Sequence, residues 1–217
     1  MSRLATVRSL LQRAWYNLLK RLLQLLTVSV YRIRFTGRAN IPAQGGALVV
    51  CNHQSHFDPP VVGLGCPRPM SYLARDTLFR FRPFGWLLHS VGVIPLNREG
   101  TGLAGIKEAL RRLKRGELVV VFPEGTRTRD GEVAPFRPGF TALAARSGAA
   151  ILPAAIEGAF QVWPRWKKLP GLGRIRVHYG EPIPAAEVAG RSDRELLAEV
   201  ERRVREHVGQ LRQLQRD

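Results

Sequence analysis

The sequence predicts an α/β domain built on a mainly parallel β-sheet flanked by helices. Two observations carry that prediction. Short runs that are apolar throughout, Ala47 to Cys51 and Leu118 to Phe122, have the composition of strands buried on both faces. Between such runs lie segments whose apolar residues recur at three- and four-residue steps, so strand and helix patterns alternate along the chain. A third feature stands apart from the domain. Residues 4 to 26 read as an amphipathic helix, with Leu4, Val7, Leu11, Trp15, Leu18, Leu22 and Leu25 on one face. Arg3, Arg13, Lys20 and Arg21 lie off that face, and Arg8 lies at its flank. An apolar face with a Trp and a cationic polar side without acids suits the interface of an anionic bilayer. The alternative is a helix packed on its own domain with a solvated basic face. The expected organisation is therefore a membrane-associating helix over residues 1–29 and an α/β domain over 30–217.

Taken in order, Tyr31 to Thr36 alternates like a half-buried strand and ends at Gly37. Ala47 to Cys51 follows as a buried strand. Asp58-Pro59-Pro60 then reads as a helix N-cap with proline in the first turn. Met70 to Ala74 is a strand ending at Arg75-Asp76, Phe84 to Ser90 a helix, and Gly92 to Leu96 a strand ending at Asn97-Arg98. Leu103 to Leu113 is helical by spacing. Leu118 to Phe122 is a strand that runs into Pro123-Glu124-Gly125-Thr126-Arg127. Phe140 to Arg146 is a short helix, Ile151 to Ile156 a strand, and Arg174 to Tyr179 an alternating edge strand. Ser192 to Leu214 closes the chain as a helix, with Ser192 and Glu195 spaced as a capping box and Leu197, Val200, Val204 and Leu211 as its stripe.

Charge bounds the partners. Lys and Arg number 34 against 17 Asp and Glu, a net charge of +17, so the surface suits nucleic acid, anionic lipid or phosphorylated substrates. No zinc finger, RNA-recognition signature or basic zipper is present, and no nucleic acid partner is expected. No acid precedes Asp58, yet the early apolar stretches are too short and interrupted for a spanning helix of about 20 residues. Nor do they read as a cleaved signal peptide, because basic residues recur through them and no small-residue cleavage site follows. The two cysteines, Cys51 and Cys66, make no disulfide framework and point to a reducing compartment.

In open α/β sheets, ligands bind outside the carboxyl ends of the strands. The polar clusters fall at those ends: His53 to Asp58, Arg75, Arg98, and Glu124 to Arg127. Histidine's unperturbed pKa lies close to neutral, so His53 is the candidate general base. Asp58, five residues on, is placed to accept from the second imidazole nitrogen, fix the tautomer and stabilise the imidazolium. Capping by Asp58 is the competing reading. His53, His56 and Asp58 as a metal set is disfavoured because they lie within six residues, with no other strong ligand cluster. Cys51 reads as a small buried hydrophobe. No Gly-x-Ser-x-Gly elbow occurs, so the hydroxyl to be activated belongs to the substrate. Gly125 permits a tight turn, and Thr126, Arg127 and backbone amides can hold an anion. A structural ion pair with Glu124 or another acid is the alternative for Arg127, and a solvated charge is the alternative for Arg75 and Arg98.

These residues resemble the glycerolipid acyltransferase family, which includes 1-acyl-glycerol-3-phosphate acyltransferase. Asn52-His53 with Asp58 looks like the family's first block, the His-x4-Asp motif. Gly92 to Arg98 is similar to the second, Phe122 to Arg127 matches the third, and Ile151 to Ile156 resembles the fourth. Ala154 is smaller than the branched residue often found there. The order and spacing of the blocks, over roughly residues 45 to 160, fit as well.

The resemblance implies that His53 deprotonates the sn-2 hydroxyl of a lysophospholipid, Asp58 orients it, and the alkoxide attacks an acyl thioester. Arg98 and Arg127 bind the acceptor phosphate; Glu124, Gly125 and Thr126 shape the acceptor site, with Glu124 on the glycerol. Arg75 is a weaker transfer, since family members often carry lysine nearby, and arginine changes the hydrogen-bond geometry. No cofactor and no metal are implied. The co-substrate is an acyl-CoA or an acyl carrier protein thioester, the partners are a membrane lipid acceptor and an anionic membrane surface, and the expected location is the cytoplasmic face of the cell membrane, peripheral or monotopic. Two further stretches mix aromatic and basic residues, Phe79 to Trp86 and Trp163 to Lys168, and are candidates for headgroup contact. Their alternatives are core packing for Phe84 and Trp86 and a solvated loop for the second.

Overall fold

A computed structural model describes residues 14, 15, 17, 18, 21, 22, 25, 30–97 and 102–216. Its strands are β1 (Arg34–Thr36), β2 (Ala47–Cys51), β3 (Met70–Arg75), β4 (Ile94–Leu96), β5 (Leu118–Val121), β6 (Ala150–Glu157) and β7 (Arg176–Tyr179). The helices that follow residue 57 are α1 (Asp58–Gly65), α2 (Arg82–Ser90), α3 (Leu103–Lys114), α4 (Gly139–Ser147), α5 (Ala159–Val162), α6 (Ala185–Gly190) and α7 (Asp193–Arg216). The strands form one sheet in the order β1-β7-β6-β2-β5-β3-β4. Every pairing is parallel except β6 with β7.

The order explains the composition. β2 and β5 lie in the middle of the sheet and are covered on both faces, so they contain no polar residue. Val49, Cys51, Leu152 and Ala154 turn to one face with Val61 and Val62 of α1. Leu48, Val50, Ile151 and Ala155 turn to the other, against Leu113 of α3, Ala144 of α4 and the α7 stripe. From β2 the chain adds β3, β4 and β5 on one side and β6 and β7 on the other. That reversal is a topological switch point, and it opens a crevice at the carboxyl end of β2.

Three expectations need correction. Arg174 to Tyr179 is no edge strand: β7 lies between β6 and β1, and it alternates because Val177 and Tyr179 are buried whereas Arg176 and His178 are half-buried. The first strand is shorter than Tyr31 to Thr36, because Arg32 has φ +43 and interrupts the extended chain. In α7 the fully buried stripe runs through Leu196, not Leu197, with Val200, Val204, Val208 and Leu211. The capping box forms as spaced, Glu195 N–H donating to Ser192 Oγ at 3.3 Å and Ser192 N–H to Glu195 Oε2 at 2.9 Å.

The boundary at residue 29 and most of the amphipathic helix lie outside the described residues. Those described there are helical; Trp15, Leu18, Leu22 and Leu25 are exposed, and Trp15 Nε1–H donates to Ser90 Oγ of α2 at 3.1 Å. Among the described residues, no helix is long and apolar enough to cross a membrane.

Leu152 is fully buried at the middle of β6. Leu152→Ala removes that packing and is expected to lower the unfolding free energy by about 2–5 kcal/mol, measured by urea denaturation.

Candidate active site

β2 ends at Cys51, and the next residue continues its pairing with side-chain atoms. Asn52 is buried; its Nδ2 donates to Ile156 O at 2.9 Å and its Oδ1 accepts from Ile156 N at 2.9 Å. This pair holds β2 to β6 one step beyond the strand. His53 then sits at the crevice, its backbone N–H donating to Glu124 Oε1 at 2.6 Å and its carbonyl accepting from Thr128 N–H at 2.9 Å. Its ring stacks on Phe122 with centroids 4.2 Å apart.

Asp58 faces back toward this loop. His53 Nδ1 lies 2.7 Å from Asp58 Oδ2, which also accepts from Gln54 N–H at 2.6 Å and Ser55 N–H at 2.7 Å. Asp58 is completely buried. An ionised carboxylate only accepts, so Nδ1 carries the imidazole proton and Nε2 keeps its lone pair. The N-cap expectation is corrected here. Asp58 is the first residue of α1 rather than its cap, no side chain caps that helix, and the carboxylate is spent on the His53 loop. Pro59 occupies the first turn as expected.

His53 lines two adjoining cavities. One, of about 360 Å³, gathers Arg75, Arg127 and Arg165 with Gly125 and Thr126. The other, of about 490 Å³, is walled by Leu96, Ile106, Phe122, Phe140 and Leu143, with Arg137 at its side. Gly125 closes a turn in which its N–H donates to Phe122 O at 3.0 Å, and its φ is +73. A side chain there would be strained and would approach the Arg137 guanidinium to 3.2 Å. The Arg127 guanidinium lies against the His56 ring. Burial, then Arg127, push the His56 pKa down.

Of the residues singled out from sequence, His53, Arg75, Gly125, Thr126 and Arg127 therefore share one cavity, with Asp58 behind the ring. Arg98 lies outside the described residues. Glu124 is buried and turned inward: Oε1 accepts from His53 N–H and Oε2 from Ala134 N–H at 3.0 Å. It holds two loops together and does not line the arginine cavity. Burial raises its pKa from 4.5 to about 7, against the two amide donors that favour its ionised form. His56 and Trp163 pack ring to ring at 4.9 Å. Cys51 is buried, and burial followed by Asp58 and Glu124 pushes its thiol well up, away from nucleophilic thiolate.

Sequence reasoning missed Arg165 and the second layer. Trp163 to Lys168 had been considered only as a headgroup segment or solvated loop, but Ser55 Oγ–H donates to Trp163 O at 2.7 Å and brings Arg165 to the cavity. The contact spans 108 residues, so nothing local announces it. Behind the site, α7 braces the segment after Arg127. Arg205 Nη1 donates to Val133 O at 2.7 Å, Arg212 Nη2 to Gly131 O at 2.7 Å, and Phe136 N–H to Glu201 Oε2 at 3.0 Å. Gln54 joins the same layer, its Nε2 donating to the buried Glu157 at 3.0 Å.

A mainly parallel sheet carrying a carboxylate-oriented imidazole at its switch point is the arrangement of an α/β domain equipped for general-base chemistry. The family model described as Acyltransferase matches residues 32–157, and the chain belongs to the acyltransferase family. It is similar to the 1-acyl-sn-glycerol-3-phosphate acyltransferase of Bacillus subtilis, 32% identical over 82% of this chain and 87% of that one. The Pseudomonas aeruginosa protein of the same name is 32% identical over 87% of this chain and 73% of that one. A chloroplastic relative from Arabidopsis thaliana, LPAT1, is 31% identical over 70% of this chain, which spans only 44% of that longer protein. The crystal structure of the 1-acyl-sn-glycerophosphate acyltransferase PlsC from Thermotoga maritima superposes with a TM-score of 0.81, at 27% identity, over 98% of this chain and 84% of that one.

Because the Glu124 pKa is raised on folding, its stabilising contribution is complete below about pH 4.5 and is lost as pH rises through about 7. Relative to Glu124→Gln, wild-type stability is expected to decline by about 1.4 kcal/mol per pH unit within that window, read by urea denaturation across pH.

Proposed function

We propose that this chain transfers a fatty acyl group from an acyl thioester to the sn-2 hydroxyl of 1-acyl-glycerol-3-phosphate, giving phosphatidic acid. The observation that carries the reading is the 2.7 Å contact of His53 Nδ1 with buried Asp58, at the mouth of a cavity gathering three arginines. His53 Nε2 takes the proton of the acceptor hydroxyl as its oxygen attacks the thioester carbonyl. The tetrahedral intermediate collapses, the C–S bond breaks, and the imidazolium returns the proton to the departing thiolate. Asp58 holds the ring and stabilises the cation formed midway. Arg127 and Arg75 hold the acceptor phosphate, and Arg165 joins them as a third guanidinium. Arg98 keeps the phosphate role that the family resemblance implies. Thr126 and Gly125 shape the turn beside them, while Glu124 positions the His53 backbone. The apolar second cavity adjoins the same imidazole and suits an acyl chain.

The donor is the thioester of CoA or of acyl carrier protein, and no metal or cofactor takes part. A membrane-dissolved acceptor calls for a surface-bound enzyme. Phe81 and Trp86 are 69% and 65% exposed, a few residues on from Leu78, which lines the arginine cavity, and Arg80 and Arg82 flank Phe81. Large exposed aromatics with adjacent arginines suit an anionic interface, so this segment and the amphipathic sequence of residues 1–29 form the contact with the cytoplasmic face of the membrane.

Thiol release on mixing the protein, lysophosphatidic acid and acyl-CoA or acyl carrier protein thioester tests the chemistry. His53→Ala is expected to lower kcat by about 10²–10⁴-fold. A His53→Ala rate equal to wild type would sink the base. For the membrane contact, Phe81→Asp/Trp86→Asp is expected to reduce flotation with anionic vesicles severalfold while leaving thiol release from detergent-dispersed substrates near wild type.

A further inference from the structure

A second cationic site lies on the same edge of the sheet, on the other flank of His53. Arg34 and Arg176 are register partners on the parallel strands β1 and β7. Arg32 and Arg174 lie two residues earlier on each chain, just outside the two strands. Together with Leu214 they line a cavity of about 370 Å³. Because β7 runs antiparallel to β6, the start of β7 lies beside the end of β6, level with the His53 loop. At about 4.8 Å per strand, β7 is about 10 Å from β2 and β1 about 14 Å.

Among the described residues none of the four arginines makes an ion pair, and Arg176 Nε is buried without a partner. The acid in register with Arg176 is Glu157, whose Oε2 accepts from Gln54 and from Arg212 at 3.2 Å. Like charges directly opposed on neighbouring strands destabilise a sheet. Arg32 is moreover the one described non-glycine residue with positive φ, a conformation that costs free energy. Such an arrangement is relieved when an anion fills it.

We propose that Arg32, Arg34, Arg174 and Arg176 form a second anion site that takes the phosphate of the acyl donor's pantetheine carrier. The proposal rests on the acyl-transfer reading above, in which both substrates are anionic. The arginines of the first cavity serve the acceptor, and a separate set is left on the opposite flank for the donor. An extended pantetheine arm outreaches the lateral separation, so a phosphate held here can deliver its thioester to His53. Planar guanidiniums suit phosphate oxygens. The shared group is the phosphopantetheine phosphate, whether its source is CoA or a holo acyl carrier protein.

The test is equilibrium binding by calorimetry to the full chain, with CoA, 4′-phosphopantetheine, pantetheine and holo acyl carrier protein as probes. CoA or the carrier protein, and phosphopantetheine, are expected to bind wild type; pantetheine is not. Arg34→Gln/Arg174→Gln is expected to weaken the phosphate-bearing probes about tenfold or more, and Arg34→Lys/Arg174→Lys to retain most of the affinity. Weakening confined to CoA assigns CoA as the source, and weakening confined to the carrier protein assigns that protein. Relief of repulsion predicts a glutamine variant that melts no lower than wild type. Unchanged affinity for every probe, or equal weakening by the lysine and glutamine variants, would overturn the site. Loss of binding to phosphatidic acid vesicles with donor binding intact would assign the cluster to the membrane and overturn the donor role. Binding needs no turnover: a protein that bound CoA through these arginines but released no thiol would keep the site and lose the acyl-transfer reading.

Discussion

Asp58 has no contact with solvent, and one of its carboxylate oxygens receives three donors: the His53 ring and the amides of Gln54 and Ser55. Hydrogen bonds to a charged group contribute about 1.5–3 kcal/mol each, whereas a buried charge stripped of partners costs about 3–5 kcal/mol. The loop between β2 and α1 thus has one arrangement that brings all three donors to Oδ2, and that arrangement fixes the imidazole. The proposed catalytic geometry and local folding share an interaction, so the ring cannot drift without exposing the charge behind it.

Support for this loop comes from elements far away in sequence. Glu124 ties the His53 backbone to the segment after β5, and Asn52 ties it to β6. α7, beyond the region matched by the family model, holds residues 131–136 through Arg205, Arg212 and Glu201. In the proposed reaction the loops after β2 and β5 provide the reacting groups, and this outer layer limits their freedom. Glu124 also brings a titratable group into that layer, since burial places its proton loss near neutrality.

The legible part of the fold was the part governed by period. Ala47 to Cys51 and Leu118 to Val121 stand out because a strand covered on both faces admits no polar side chain. Alternation in Arg176 to Tyr179 was equally visible and was read as an edge. Period reports which side chains are covered, not whether a further strand pairs beyond, and here β1 does. The candidate site divides in the same way. His53 and Asp58 lie five residues apart, so a strand-to-helix corner brings them together. Arg165 reaches the cavity only because Trp163 docks on Ser55, and a hydrogen bond across 108 residues leaves no local pattern.

Sequence by itself determined the alternation of strands and helices, the polar clusters at strand ends, and the spacing that identifies the acyltransferase blocks. These follow from rules acting within a few residues: pleat, helical repeat and turn chemistry. Tertiary structure decided the work done by each side chain. Strand order put β5 and β6 on either side of β2, and only that neighbourhood turned Glu124 inward onto the His53 amide and left Arg127 in the cavity. It also set Arg34 and Arg176 side by side on β1 and β7, although about 140 residues separate them in the chain. Coulombic and hydrogen-bond partners depend on distance in space, and in a parallel sheet that distance is set by crossover connections rather than by sequence separation.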